Sequence, residues 1–473
     1  MTEQHFRSIA QLGEQIRPGH QCPVELTEQL LDRIETLDRR LNAFKRVTRD
    51  RAMAEAKAAK LCLEAGQDVG PLHGIPYVAK DLYDVKGEPT AAGCRFLEGN
   101  VANRDCTVVR RLSQAGMILL GKTHTVQLAF GAVGINHDQG TPHNPWHRVP
   151  HAPGGSSSGS AVAVATGLSP MGLGSDTGGS VRIPASLCGT VGLKTTVGRI
   201  SRAGVYPLSW TLDSVGPLTR SVEDAAEVYH VLQGEDTEDE STIGIPPHDV
   251  RPTLKLGVRG LRVAFGQTLF FDDVDDEVEK AVRQCGEVFR DLGALVTCID
   301  VPEAAAVMED ENRGFMIPAE ACVVNQRLLD EHFDDLDPVI AQRMILGRNF
   351  SAPDYHTLAR RWADMKRGVV ETLRDVDALI VPTTMIPPLP LDVIDSSLET
   401  YLDYNFKYMR NTSIGNILNL CGVTLPCGWT TQGLPIGLMI YAKPYHEEMA
   451  LRVAYAYEQA TSWHTRRPDL SWV

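Results

Sequence analysis

Behind Pro23, a residue suited to a first helical turn, Leu26, Leu30, Leu31, Ile34 and Leu37 recur at helical spacing, and the pattern predicts helix from residue 23 to about 66. Residues 1–66 are therefore expected to form a helical arm packed on a main body. Beyond the arm, short apolar runs alternate with amphipathic stretches. The runs at 75–79, 117–120 and 171–173 predict strands, and 108–115 and 160–166 predict helices. The alternation continues with strands at 261–265 and 295–299 around a helix at 276–292, a helix at 355–373, a buried strand at 378–381, and strands at 423–426 and 435–440 before a closing helix from about His446. Such order implies an α/β fold, with a large mixed central sheet and helices on both faces. Residues 67–473 are read as one such domain, interrupted at 234–256 by an acidic, proline-containing stretch expected to be a solvated loop.

Composition changes this picture little. At 473 residues with 43% apolar and 22% charged positions, the chain has ample material for a large core. The formal net charge of −14 argues against a nucleic-acid partner, which would need clustered lysine and arginine. The ten cysteines are scattered, without the two-residue spacing of zinc or redox motifs, and read as buried thiols in a reducing compartment. With no leader-like apolar run and no segment near 18 uninterrupted apolar residues, no membrane role is expected and the localisation expected is cytoplasmic. A homodimer is left open, because a two-fold contact leaves no reliable mark in a single sequence.

Three short patterns suggest other chemistry. Gly116-Met117-Ile118-Leu119-Leu120-Gly121-Lys122-Thr123 matches the phosphate-binding loop letter for letter, which would make a nucleotide-binding protein. Its variable positions, however, are Met-Ile-Leu-Leu, which favours a buried strand over an exposed anion cradle. Gly155-Ser156-Ser157-Ser158-Gly159 fits the G-x-S-x-G nucleophile elbow, but the approach through Pro145, Pro150 and Pro153 disfavours the strand that an elbow requires. His143, His147 and His151 are evenly spaced, yet Pro145 and Pro150 would each cost a helix about 3 kcal/mol. No metal and no organic cofactor is expected.

The most informative chemistry sits in two serine-bearing glycine clusters, at 154–160 and 174–180. Glycine permits φ > 0 and close approach of backbone to a carbonyl, which suits acyl transfer, with a serine nucleophile and amide donors for the oxyanion. No histidine base is apparent nearby. The run Leu173-Gly174-Ser175-Asp176-Thr177-Gly178-Gly179-Ser180-Val181-Arg182-Ile183-Pro184-Ala185, with 154–167 before it and 189–195 after it, resembles the signature of the amidase signature family. Residues 71–81, 378–384 and 419–438 resemble further blocks of that family, so the likeness covers most of the chain.

The resemblance implies Ser180 as nucleophile, Ser156 as bridging serine and Lys80 as base, with oxyanion N–H groups from Thr177, Gly178, Gly179 and Ser180. Ser157, Asp176 and Arg182 would support the site, with substrate carboxylate as an alternative partner for Arg182. A lysine base must be largely neutral near pH 7. Its pKa must then fall by about 3 units, a cost of about 4 to 5 kcal/mol that burial beside Ile75, Tyr77 and Val78 would help to impose. The family's acyl site implies contacts from 123–136, with Phe130 and Gly131 foremost, from Arg367 and from 404–416. The activity implied is hydrolysis of a small carboxylic amide, or of a urea- or carbamate-like amide. The alternative is a glutaminase subunit of a tRNA-dependent amidotransferase, which Thr412 disfavours where such subunits usually present an aspartate.

Overall fold

The structure, a computed structural model, describes residues 3–309 and 316–473. Its centre is a single sheet of eleven strands: β1 Phe44–Val47, β2 Pro76–Lys80, β3 Ile118–Thr123, β4 Met171–Asp176, β5 Val191–Lys194, β6 Ser214–Thr219, β7 Arg262–Gly266, β8 Leu295–Ile299, β9 Ala378–Pro382, β10 Cys421–Trp429 and β11 Pro435–Ala442. They lie in the order β1-β3-β2-β4-β6-β5-β10-β11-β9-β7-β8. β3, β2 and β4 run parallel, as do β9, β7 and β8, while the strands between these groups pair antiparallel. The sheet is therefore mixed, and helices cover it.

Burial explains why the central strands read as continuous apolar runs. Every residue of β2, β4 and β11 is buried, as a strand covered on both faces requires, whereas the edge strand β8 is largely open. The helix Ser158–Ala165 is buried along its whole length. Its small residues let backbones approach closely: a Cβ on Gly159 would lie 2.3 Å from the carbonyl oxygen of Ala43.

Two expectations change here. The stretch from 23 to 66 is not helical throughout: helices Pro23–Leu41 and Arg49–Glu64 flank β1, which pairs with β3 and extends the main sheet. Asn42, at φ 51°, ends the first helix in the left-handed region that asparagine tolerates. The acidic stretch at 234–256 is also more anchored than a solvated loop. Asp239 is buried against Arg202 at 3.1 Å, and Arg111 donates to the carbonyls of Leu232, Gly234 and Glu235.

The competing motifs resolve as structure. Residues 118–123 of the apparent phosphate loop form β3, and Lys122 is buried in an ion pair with Asp81 at 2.8 Å. His143, His147 and His151 lie outside helices. Among the described residues no group of three His, Cys, Asp or Glu side chains is placed to hold a metal.

Candidate active site

The C-terminal end of β2 delivers Lys80 into the interior, where its side chain has no exposure. Its Nζ donates to Ser156 Oγ at 2.7 Å and to Ser175 Oγ at 2.8 Å, and no carboxylate lies within ion-pair distance among the described residues. Burial pushes its pKa down to about 7, against the opposing pull of Asp213 and Asp176. A lysine so placed is able to lose its proton near neutral pH.

The two glycine clusters meet around this amine. The Gly155–Ser156 peptide is cis, and Ser157 donates its N–H to the carbonyl of Ser180 at 3.2 Å and its hydroxyl to the carbonyl of Ser175 at 3.3 Å. Ser180 is 8% exposed and opens onto a cavity. Among the described residues no hydrogen bond joins the hydroxyls of Ser156 and Ser180.

Asp176 organises the loop between β4 and the helix Arg182–Cys188. Its carboxylate accepts from the N–H groups of Gly179 and Val181 at 2.9 and 3.1 Å, and from Asn416 at 2.8 Å. Burial opposes its ionisation, but the Arg182 guanidinium at 2.9 Å holds it well below the usual carboxylate range. Arg182, itself fully buried, also donates to Tyr441 Oη, the carbonyl of Thr412 and Asn416 Oδ1. With these donors engaged, Arg182 is not available to a substrate carboxylate.

The donor set also needs a correction. Because the Gly179 N–H points to Asp176, it is removed from the oxyanion donors, and the N–H groups of Thr177, Gly178 and Ser180 remain. Glycine is required at 179 for its φ of 129° and because a Cβ would stand 2.2 Å from Thr412 Oγ1. That hydroxyl lies 2.7 Å from the carbonyl of Gly178, its nearer acceptor, and 2.9 Å from that of Met409, so Thr412 braces the loop.

A cavity of about 220 Å³ runs from Ser180 past Thr177 and Gly178, and is lined by Phe130, Gly131, Ile183 and Met409. Phe406 and Ser413, within the stretch 404–416, line it too. Arg367 does not: it lies on the outer face of the helix Ala352–Thr372, 72% exposed and paired with Asp364. Among the described residues, the basic group in the cavity is Arg343, from the helix Pro338–Ile345. Its Nη1 donates to the carbonyl of Phe130 at 2.6 Å and its guanidinium lies 3.9 Å from that ring's centre. It has no carboxylate partner among the described residues. Arg343, Ser175 and Asp213 escaped the sequence reading. Their signals were slight: a lone basic position among the apolar residues Val339, Ile340 and Met344, a serine inside the second glycine cluster, and an aspartate just before a strand.

The cavity wall is held by His137, whose ring bonds Asp337 Oδ2 at 2.7 Å and Asp395 Oδ2 at 2.9 Å. Asp337 caps the helix that carries Arg343, so one imidazolium ties three segments. These hydrogen bonds, Asp337 first, outweigh burial and raise the His137 pKa to about 9. A folded-state pKa above the unfolded value near 6.5 contributes stability that is complete below about 6.5 and is lost as pH rises through about 9. We expect His137→Ala to lower Tm at pH 6, with the difference from wild type shrinking steadily towards pH 10 in thermal melts.

Fold and site together define a class: amide-bond hydrolases of mixed α/β architecture, here with a lysine buried between two serine hydroxyls. The family named Amidase matches residues 25–451. The chain is 35% identical over 487 residues to a component of the glutamyl-tRNA(Gln) amidotransferase of Gloeobacter violaceus, covering 98% of each chain. It is 37% identical over 464 residues to the 2-amino-5-chloromuconic acid deaminase of Comamonas testosteroni, covering 95% of each. Among solved structures, the native peptide amidase from Stenotrophomonas maltophilia superposes with a TM-score of 0.85 at 30% identity, over 98% of both chains. The chain belongs to the amidase signature family and is a hydrolase acting on C–N bonds. Among the described residues no helix is long and apolar enough to cross a membrane.

Proposed function

We propose that the protein hydrolyses a small carboxylic amide whose acyl part carries an anionic group, through an acyl-enzyme on Ser180. The observation that carries the reading is the buried Lys80 amine, held between two hydroxyls with no carboxylate partner among the described residues. Neutral Lys80 takes the proton of Ser156, which takes that of Ser180 as its oxygen attacks the amide carbon. The negative charge on the carbonyl oxygen is met by the N–H groups of Thr177, Gly178 and Ser180, each worth about 3 kcal/mol in such a site. The proton then returns through Ser156 to the leaving nitrogen, ammonia or an amine departs, and water releases the acid by the same relay.

Arg343 supplies the substrate preference. A guanidinium without a carboxylate partner among the described residues, in a cavity otherwise lined mainly by apolar side chains, favours an acyl group with a carboxylate at its far end. The name of the chloromuconic acid deaminase, an acid-processing relative, is in keeping with this. Ammonia release across a panel of amides, with and without an acyl carboxylate, tests it. Arg343→Gln is expected to raise KM about 10- to 100-fold for the carboxylate-bearing amides, the range for one lost charge-assisted hydrogen bond, and to leave neutral amides nearly unchanged. Equal effects on both sets would remove Arg343 from recognition.

A second reading, a glutaminase component of an amidotransferase, is favoured by the amidotransferase relative and by the same arginine. It is disfavoured by Thr412, whose hydroxyl faces the main-chain carbonyls of Gly178 and Met409. Glutamine turnover that appears only with an added partner protein would select it.

A further inference from the structure

We propose that Asp213 is a positioning residue of the amidase site, acting through the Thr177 hydroxyl to aim the oxyanion donors and through its charge on Lys80. The inference rests on the reading of Ser180 and Lys80 given above. Thr177 stands between two cavities, the acyl cavity and a second one of about 200 Å³. The second is lined by Ser175, Thr177, Tyr206, Trp210, Asp213 and Ser214, and so borders the serine whose hydroxyl Lys80 contacts.

Asp213 lies just before β6. Protein atoms surround it closely, while the second cavity leaves part of its surface open. One carboxylate oxygen accepts from Thr177 Oγ1 at 2.5 Å; the other accepts from the N–H groups of Leu208 and Ser209 at 2.8 and 3.0 Å. Thr177 thus has its side chain tied outward to Asp213 while the next residue, Gly178, is tied inward by Thr412. Opposed restraints of this kind fix the peptide planes between them, and with them the direction of their N–H groups.

The charges around this pair are few. Asp176 also acts on Lys80, but its own charge is matched by Arg182 at 2.9 Å. On the side of Asp213, Arg202 acts on the carboxylate but pairs with Asp239 at 3.1 Å, and Glu238 pairs with Arg104. Glu320 holds Ser209 and Thr211 of the neighbouring loop. Asp213 therefore has no ion-pair partner among the described residues; burial pushes its carboxyl pKa up, against the hydrogen bonds from Thr177, Leu208 and Ser209, and in its ionised form its charge favours the protonated amine of Lys80. Without it the neutral, basic form of Lys80 would persist to lower pH, with less driving force for taking a proton.

The test is the pH dependence of kcat/KM and the split of kcat against KM for Thr177→Val, Thr177→Ser and Asp213→Asn. Thr177→Val is expected to lower kcat about 10- to 100-fold with KM little changed, as for a weakened oxyanion site, and Thr177→Ser, which keeps the hydroxyl, to stay near wild type. Asp213→Asn is expected to lower kcat and to move the acid limb of the profile down by about one pH unit. A Thr177→Ser enzyme as poor as Thr177→Val, or an acid limb unmoved in Asp213→Asn, would overturn the proposal. If Asp213→Asn fails to fold, the two Thr177 variants decide it. Full turnover by Ser180→Ala would instead overturn the underlying reading of the site, so the two failures are distinguishable.

Discussion

Ser180→Ala is expected to reduce amide hydrolysis by on the order of 10⁴- to 10⁶-fold, leaving the residual rate that binding and oxyanion donors alone provide. Covalent capture by a serine-reactive phosphonate should vanish with it, as read by intact-protein mass. The effect is large because the hydroxyl is the only group removed: the hydrogen bonds to Ser157 and along the loop to Asp176 are made by main chain that alanine keeps. Melting temperature should accordingly change little. An alanine variant that turns over amide at the wild-type rate would place the nucleophile elsewhere.

Lys80→Ala and Ser156→Ala should each cost about 10⁴-fold in kcat/KM, since either one breaks the route by which the Ser180 proton leaves. In the wild type, kcat/KM should rise with pH through about 7, because the active form of the lysine is the neutral one and burial brings its pKa to about that value. Lys80→Arg tests the same point with bulk and charge retained. A guanidinium does not deprotonate in this range, so the variant should be as inactive as Lys80→Ala at every pH. Activity in Lys80→Arg, or a rate independent of pH between about 6 and 8, would mean that the base is another group.

Much of the fold was legible from periodicity. The run at 295–299 coincides with β8, and the helix read at 276–292 is Asp276–Asp291. Both are governed by local patterns that tertiary context leaves alone. Where the reading fell short, the element was short or its strand signal was spread over glycine and polar residues. β5 and β6 contain Gly192, Gly216 and Pro217, and β1 has only four residues. Their pairing with distant strands, which no local pattern announces, makes them strands.

The site divides in the same way. The two glycine clusters and the contrast between Asp176 and Arg182 stood out by residue type, whereas Lys80 was singled out from Lys86, Lys122 and Lys194 only by the family resemblance of residues 71–81. Arg367 was named and Arg343 missed because sequence cannot tell which face of a helix meets a cavity, and the structure puts Arg367 in water beside Asp364. Gly179 was counted among the donors because the direction of one N–H depends on a carboxylate three residues earlier.

By itself the sequence determined the family, the mixed α/β architecture and the types of group available for acyl transfer, since these depend on residue identity and local periodicity. The tertiary structure alone decided which of the buried lysines meets two serine hydroxyls, which amide protons stay free and which arginine faces the cavity. Each of those is a property of distances between segments far apart in the chain, and it is through such distances that burial and charge set the chemistry of a side chain.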